Sequence, residues 1–404
     1  DNWHKHAEIL KPVYKPCVTP PQNWTTPFDG GYFSAQLYQA PLVQSSDKEY
    51  LKELAQTDLS EVYEAVNSLQ STKWQVNGEI FSIMAEFWET GQDGAGLPAR
   101  INEELPAKPH DIETNKDARD YWRRAARDVH SHNEKQRDQR LGFLKTLTLA
   151  KEYLDRDEFY YVWQLDWRGR AYPISYFYLQ PQGPDFGKAL LQFAEGKKID
   201  TEDAKNHFFI QGANSFGMDK LSLEERIKWV EENHTLIVGC ASDPYYHRDW
   251  QDCSQPWSFL AFCIEYAQWV DDKENFLSKI VIAQDATQSG LQILSLLVKD
   301  EVGAASTNLI GVEEPVDLYQ TVANRATEYL KEAANTSDED IKKAVEKLKA
   351  SYERRSVKEG FDKKAEKRKL ESAITQAKII RENANIWIDL GVDRALDKRP
   401  TMTK

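Results

Sequence analysis

The sequence lacks the marks of several large functional classes. Its four cysteines, Cys17, Cys240, Cys253 and Cys263, show no C-x-x-C spacing. Thiols so scattered point to reduced, mostly buried residues of a cytoplasmic protein rather than a disulfide scaffold or a zinc module. The eight histidines form no H-E-x-x-H pair, which removes the common zinc-hydrolase plan. Neither G-x-x-x-x-G-K-[ST] nor G-x-G-x-x-G is present, so a P-loop or Rossmann assignment has no anchor. There is no internal repeat, and no apolar run approaches the roughly 18 residues of a membrane span. No signal peptide is visible and the first residue is Asp rather than Met, so the chain is expected to be a piece of something longer. An excess of positive charge is missing too: 52 Lys and Arg face 65 Asp and Glu, a net charge of −13. That argues against a surface coated with nucleic acid but permits a local basic channel.

What is present is ample core material. The 404 residues include 12 Trp, 18 Tyr and 16 Phe, with 41% hydrophobic and 29% charged residues. This suits a globular protein of roughly two to four subdomains. Residues 1–45 are rich in Pro, Gly, Trp and Tyr and predict an irregular wrapping segment. Residues 48–75 predict a helical stretch with Leu51, Leu54, Leu59, Val62, Ala65, Val66 and Leu69 on one face, and residues 79–90 a second helix. Pro106 and Pro109 mark 99–113 as a connector.

Residues 114–155 carry the longest helical pattern, with Tyr121, Trp122, Ala125, Val129, Leu141, Phe143, Leu144 and Leu147 on a plausible core face. Its middle, from Arg123 to Arg137 and Arg140, is either a solvated face or a helix that tracks a phosphate backbone. Tyr160–Trp163 predicts a strand, followed by Asp166-Trp167-Arg168-Gly169-Arg170-Ala171-Tyr172. Two arginines flanking a glycine are forked donors on a turn, suited to phosphates or to a structural Asp–Arg pair. Gly212–Lys220 predicts a small-residue turn, Glu224–Asn233 an amphipathic helix, Trp257–Ala267 a buried helix and Pro315–Leu330 another helix. From Lys342 to Lys369 twelve Lys and Arg stand against five Asp and Glu, which predicts an exposed helical insertion within 331–378, a solvated element or a nucleic-acid contact.

The stretch that organises the chain is Lys279–Thr307. Ile280–Ala283 is wholly apolar and predicts a strand buried on both faces. It leads to Asp285, then a turn, then a helix with Leu291, Leu294, Leu297 and Val298 on its buried face and Ser289 at its start. A carboxylate on a rigid strand end is a good Mg²⁺ ligand; an Asp in a turn is equally ordinary. Arg394 and Lys398, spaced i, i+4, share a helix face that can hold a polyphosphate.

Taken together, these stretches resemble the single-subunit, phage-type DNA-directed RNA polymerases, the family that also includes the mitochondrial enzymes. Asp166–Tyr172 resembles its D-W-R-G-R-x-Y turn, followed by Pro181-Gln-Gly183 and Lys188–Leu191. Gly212-Ala-Asn214, Asp219-Lys220, Glu225-Arg-Ile-Lys228 and Glu231–His234 resemble a further block, and Phe259–Tyr266 another. Asp285–Gln292 stands where the family has its first catalytic Asp, and Gly391–Arg399 resembles the start of the fingers helix. The resemblance is colinear over about 12–330 and 386–403. It departs at Ala286, Thr287, Gln288 and Ile293, where the family commonly has Gly, Ser, Cys and His.

The resemblance implies an α+β, mostly helical, right-hand polymerase fold with a small antiparallel palm sheet. Its parts would be the end of an N-terminal region and connector (1–113), thumb helices (114–157), first palm part (158–196), palm insertion (197–275), palm with Asp285 (276–312) and the start of the fingers (313–404). It implies template-dependent RNA synthesis from NTPs on DNA with two Mg²⁺ ions held by Asp285 and the Ala286 carbonyl. Lys220, Tyr319, Arg394, Lys398 and Arg399 would contact the NTP. Arg170, Tyr172, Lys188, Arg137 and Arg140 would contact template and transcript. The family's ribose-selecting Tyr-Gly and its second catalytic Asp would lie beyond Lys404, so the 404-residue chain alone is expected to be inactive. A phage-encoded, monomeric enzyme in the cytoplasm of an infected host, touching no membrane, is the corresponding setting. The alternatives are a non-catalytic nucleic-acid-binding fragment or subunit and a related DNA polymerase of the same hand-shaped fold.

Overall fold

The computed structural model describes residues 14–33, 40–92, 94–175, 177–219, 221–283, 289–310, 316 and 318–335, with isolated helical residues between 339 and 371. The chain divides into two compact units, Asp1–Gln284 and Asp285–Lys404.

The first unit opens with β1 (Val43–Gln44), α1 (Lys48–Leu54), α2 (Ser60–Gln70), β2 (Trp74–Val76) and α3 (Gly78–Thr90). The single helical stretch expected over 48–75 is therefore two helices and a strand. Local side chains start each helix afresh: Asp47 accepts from the backbone of Glu49 and Tyr50 at 3.0 and 3.2 Å, and Asp58 from that of Ser60 at 3.0 Å. Trp74–Val76 leaves the helical pattern because it finds an antiparallel partner in β5 (Leu191–Phe193). Asn77 caps α3, which ends at Gly91 as expected.

Residues 99–115 contain no regular element, in keeping with a connector. Asn115 then caps α4 (Lys116–Tyr153), whose 38 residues extend about 57 Å at 1.5 Å per residue. Its C-terminal half buries Phe143, Leu144, Leu149, Ala150 and Tyr153; of the expected core face Phe143 and Leu144 are buried, Trp122, Ala125, Val129, Leu141 and Leu147 half-buried, and Tyr121 exposed. The chain then forms β3 (Trp163–Asp166) and β4 (Ala171–Pro173), an antiparallel hairpin with β1 added in parallel to β3. After it come α5 (Asp185–Ala189), β5 and β6 (Lys197–Lys198), which pairs antiparallel with β7 (Leu277–Ser278).

Between β6 and β7 lie α6 (Glu202–Phe216), α7 (Leu223–Glu232), α8 (His234–Ser242), a short 3₁₀ turn (Asp249–Asp252) and α9 (Pro256–Asp271). Gly212–Phe216 belongs to α6, so the turn expected over 212–220 begins only at Gly217. The reason is packing: a Cβ at Gly212 would overlap the Phe262 ring, three of whose carbons lie within 2.6 Å of it. Glycine there lets α6 lie against α9. Apolar on most of its circumference, α9 buries Trp257, Phe259, Leu260, Phe262, Cys263, Tyr266 and Trp269, the centre of this unit's core.

The second unit contains α10 (Ser289–Val298), α11 (Glu301–Ser306) and α12 (Leu318–Asn335). Gln292 donates to the Thr307 carbonyl at 2.6 Å and the Asp300 N–H to the Ser295 carbonyl at 2.9 Å, folding α10 onto α11. Leu291, Leu294, Leu297 and Val298 are exposed and Ser295 is buried, so the helix forms as expected but its apolar face is not the buried one. Most of the charged insertion beyond Asn335 lies outside the described residues. The fold is thus mostly helical with small, largely antiparallel sheets, three in number among the described residues. No described helix is long and apolar enough to cross a membrane.

Candidate active site

Two features of the first unit carry residues singled out in the sequence or lead in sequence toward Asp285. One is the β3–β4 hairpin. Asp166 Oδ1 accepts the backbone N–H groups of Arg168 and Arg170, each at 2.9 Å, and Oδ2 accepts Nε and Nη2 of Arg168 at 3.1 and 2.9 Å. Burial alone would raise the Asp166 carboxyl; the donors from Arg170 and Arg168 outweigh it and hold the group below its ordinary range. Gly169 stands in the turn at φ 81°, a backbone region other residues enter at a cost. One arginine is thus consumed by the turn. The other, Arg170, is exposed and makes no side-chain hydrogen bond or ion pair among the described residues. Tyr172 is also exposed, on β4 opposite Gln164. Of the two readings open for this turn, Arg168 takes the structural one and Arg170 remains available to a ligand.

The other feature is the strap from β7 to Ala283, just ahead of Asp285. Glu265, a carboxylate in the middle of the apolar α9, accepts the Ser278 hydroxyl at 2.5 Å and the Lys279 N–H at 3.0 Å. Burial raises its carboxyl above the ordinary range despite donors from Ser278, Lys279 and Ile280. Lys279 Nζ donates to Gln75 at 2.9 Å, and its carbonyl accepts the Phe193 N–H at 2.9 Å. Gln211, buried on α6, accepts the Ala283 N–H at 3.1 Å.

Ile280–Ala283 is therefore held by side chains and not by a ladder. The expected strand buried on both faces is not formed: Ile280 and Val281 are half-buried, Ile282 is 39% exposed, and among the described residues none pairs with them as a strand.

Beneath the strap lies a cavity of about 70 Å³, lined by Lys188, Gln211, Gln255, Ser258, Ile280 and Ala283 among others. Lys188 stands on α5, half-buried. Its neighbour Asp185 ties α5 to the start of α9, accepting the N–H groups of Trp257 and Ser258 at 2.7 and 3.1 Å and the Ser258 hydroxyl at 2.6 Å. Burial raises its carboxyl, partly offset by these donors and by Lys188.

A third arrangement involves the residues that flank position 220 in sequence. Arg226 on α7 donates from Nε to the Leu221 carbonyl at 2.9 Å, from Nη1 to Asn214 Oδ1 at 2.9 Å and from Nη2 to the Asp219 carbonyl at 3.0 Å.

Arg137 is exposed on α4. Arg140 is not available as a nucleic-acid contact, and that expectation is corrected. It is 2% exposed and donates to the Ala99 carbonyl at 2.8 Å and Asn102 at 2.6 Å, bracing the connector on α4. Asp285, Ala286, Lys220, Arg394, Lys398 and Arg399 lie outside the described residues, and Tyr319 is described only as a backbone position in α12. Among the described residues no three His, Cys, Asp or Glu converge to hold a metal ion.

The residues that sequence reasoning passed over are Asp185, Gln211, Glu265 and Arg226. Two of them left a local signal: Glu265 is a single charge within the apolar run Trp257–Ala267, and Arg226 lies within the Glu225–Lys228 block.

Comparison with known proteins bears on this arrangement. The profile of the family described as DNA-dependent RNA polymerase matches residues 198–404, and that described as DNA-directed RNA polymerase N-terminal matches residues 3–71. T7 RNA polymerase of Escherichia phage T7 is 33% identical over 401 residues, covering 98% of this chain and 42% of its own length. The DNA-directed RNA polymerase of Enterobacteria phage K11 is 32% identical over 397 residues, covering 98% and 41%. DNA-directed RNA polymerase 2B, chloroplastic/mitochondrial, of Nicotiana tabacum is 33% identical over 343 residues, covering 82% and 33%. The chain therefore spans about two fifths of the length of its phage relatives.

Proposed function

The chain belongs to the family of phage-type DNA-directed RNA polymerases, and on that premise we propose that it carries one half of an RNA-synthesising active centre. The observation that carries the proposal is the colinear similarity over 98% of the chain, which takes in the Asp166–Tyr172 hairpin, the strap and Asp285.

In this reading the 3′-hydroxyl of the growing RNA attacks the α-phosphorus of an NTP chosen by the DNA template. A new P–O bond forms as the α–β bond breaks and pyrophosphate leaves. Asp285 and the Ala286 carbonyl offer the hard oxygen donors that Mg²⁺ prefers. Two ions are proposed; held there, they would lower the pKa of the hydroxyl and offset charge on the phosphates. Asp285 would be one of the carboxylates that hold such a pair. The chain's own cations then have defined tasks. Lys220, Arg394, Lys398 and Arg399 neutralise the triphosphate and the departing pyrophosphate, with Tyr319 beside them. Arg170, Tyr172 and Lys188 orient the template–transcript duplex, and exposed Arg137 on the thumb helix attracts its backbone without reading sequence. The enzyme is proposed to be phage-encoded and monomeric, acting in the infected host's cytoplasm. The thumb, palm and fingers boundaries are those given above.

The test is template-directed NTP incorporation by the full-length protein and by its Asp285→Ala variant. The proposal expects synthesis that the variant loses by several orders of magnitude while template binding persists. Retained synthesis in the variant would refute the role of Asp285. Use of dNTPs in place of NTPs would support the DNA-polymerase alternative, and template binding without incorporation the non-catalytic one.

A further inference from the structure

Three sequence blocks, Gly212-Ala-Asn214, Asp219-Lys220 and Glu225–Lys228, contribute only Lys220 to the function proposed above. The structure gathers the others on a single guanidinium. Arg226 holds the carbonyl before position 220, that of Asp219 at 3.0 Å, and the carbonyl after it, that of Leu221 at 2.9 Å. Its remaining bond, 2.9 Å to Asn214 Oδ1, ties the same fork to α6. Arg226 is 9% exposed, and burial lowers its pKa, with Asp219 opposing.

The platform carrying Arg226 is itself fixed. Ser222 and Glu225 form a reciprocal capping box at the start of α7, with bonds of 2.9 and 3.3 Å. The loop closes on itself through Leu221 N–H to the Met218 carbonyl at 3.1 Å. A planar guanidinium bonded in three directions fixes distance and angle together; a lysine ammonium, a point charge on a flexible stem, does not.

We infer that Arg226, anchored by Asn214, is a positioning residue for nucleotide binding, pinning the backbone on both sides of position 220 so that the lysine there meets the triphosphate of the incoming nucleotide. The inference rests on the proposed contact between Lys220 and the triphosphate. A cation held in place before the nucleotide arrives spares the cost of ordering the loop on binding, so a rigid loop has a purpose beyond stability.

The experiment is a double-mutant cycle in the full-length polymerase, measuring KM for NTP and kcat for Arg226→Lys, Lys220→Ala and the pair, with thermal midpoints for each. Arg226→Lys is expected to raise KM about fivefold or more with kcat changed less than twofold, and to have no further effect once Lys220 is Ala. Asn214→Ala, which removes one bond and leaves the arginine, is expected to raise KM about twofold with the same dependence on Lys220. It serves if Arg226→Lys does not fold. An equal rise in KM with and without Lys220, or a lowered thermal midpoint with unchanged KM, would overturn the inference and leave Arg226 a purely structural clamp. If Lys220→Ala is itself silent, the failure lies in the assignment of Lys220, and the inference falls with it.

Discussion

Gly212 sets two effects of opposite sign against each other. In the interior of α6, replacing glycine by alanine gains about 1 kcal/mol in helix propensity. Against this stands the Phe262 ring, with three carbons within 2.6 Å of the new methyl, where ordinary carbon contacts lie at about 3.5–4.0 Å. The ring must therefore retreat by about 1 Å. It has nowhere to go: Phe262 is fully buried, with the rings of Phe208, Tyr266 and Phe259 centred 4.9, 5.7 and 6.1 Å away. Overpacking of this kind costs about 1–3 kcal/mol, and a boxed ring belongs at the upper end. The net expectation for Gly212→Ala is a loss of about 2 kcal/mol, roughly a 30-fold shift toward the unfolded state. Urea unfolding followed by tryptophan fluorescence measures it, because all tryptophans but Trp387 lie within Asp1–Gln284. Phe262→Leu should partly rescue the variant, making the double mutant more stable than the sum of the singles by about 1 kcal/mol or more. A Gly212→Ala protein as stable as the parent, or an additive double mutant, would refute the close approach of α6 and α9.

Two further outcomes concern Arg137 and Arg140 on α4 and Glu265 on α9. The pair Arg137→Ala and Arg140→Ala should separate binding from stability. The first should flatten the salt dependence of template binding by roughly one unit in log K against log salt, leaving the urea midpoint unchanged. The second should leave the salt slope alone and destabilise by about 1–3 kcal/mol, since it strands the Ala99 carbonyl and Asn102; equal salt slopes for the two variants would contradict this. Glu265 has a folded-state pKa above its ordinary 4.5. The folded state then holds the proton more tightly, so the contribution is present below the unfolded pKa and is lost as pH rises through the folded one. The stability of the parent relative to Glu265→Gln should therefore fall as pH rises above about 4.5; parallel pH profiles would show that this carboxyl does not titrate differently on folding.

How far the sequence foretells this molecule depends on how local each cause is. The helices α3, α4 and α7 are legible because their caps, Asn77, Asn115 and Ser222 with Glu225, stand beside their apolar periodicity. The strand Trp74–Val76 is not, because its reason is β5, more than a hundred residues away. The misjudged cases fail in the same manner. Arg140 lies in a polar stretch that looks solvated throughout, and only the return of residues 99–102 onto α4 turns it inward. The apolar run Ile280–Ala283 satisfies a strand pattern, yet its backbone is held by Gln211 and, through Ser278 and Lys279, by Glu265, polar groups that no period-two pattern anticipates.

The same distinction explains why resemblance, and not local pattern, points to Asp285. Asp285 follows a short apolar run, and that context fits a turn as well as a metal ligand. The described surroundings of the strap and the clamp are set by residues distant in sequence: α6 contributes Gln211 to the strap and Asn214 to the position-220 clamp, α7 contributes Arg226, and α9 contributes Glu265. These three helices pack through Gly212, Phe262 and their aromatic neighbours, so the strap and the clamp share one support. A change in that support should then act on both at once. Gly212→Ala is expected to raise KM for NTP and lower kcat together in the full-length polymerase, whereas Arg226→Lys moves KM alone. A Gly212→Ala enzyme that is destabilised yet retains both constants would show that strap and clamp are held locally and owe nothing to the helix packing beneath them.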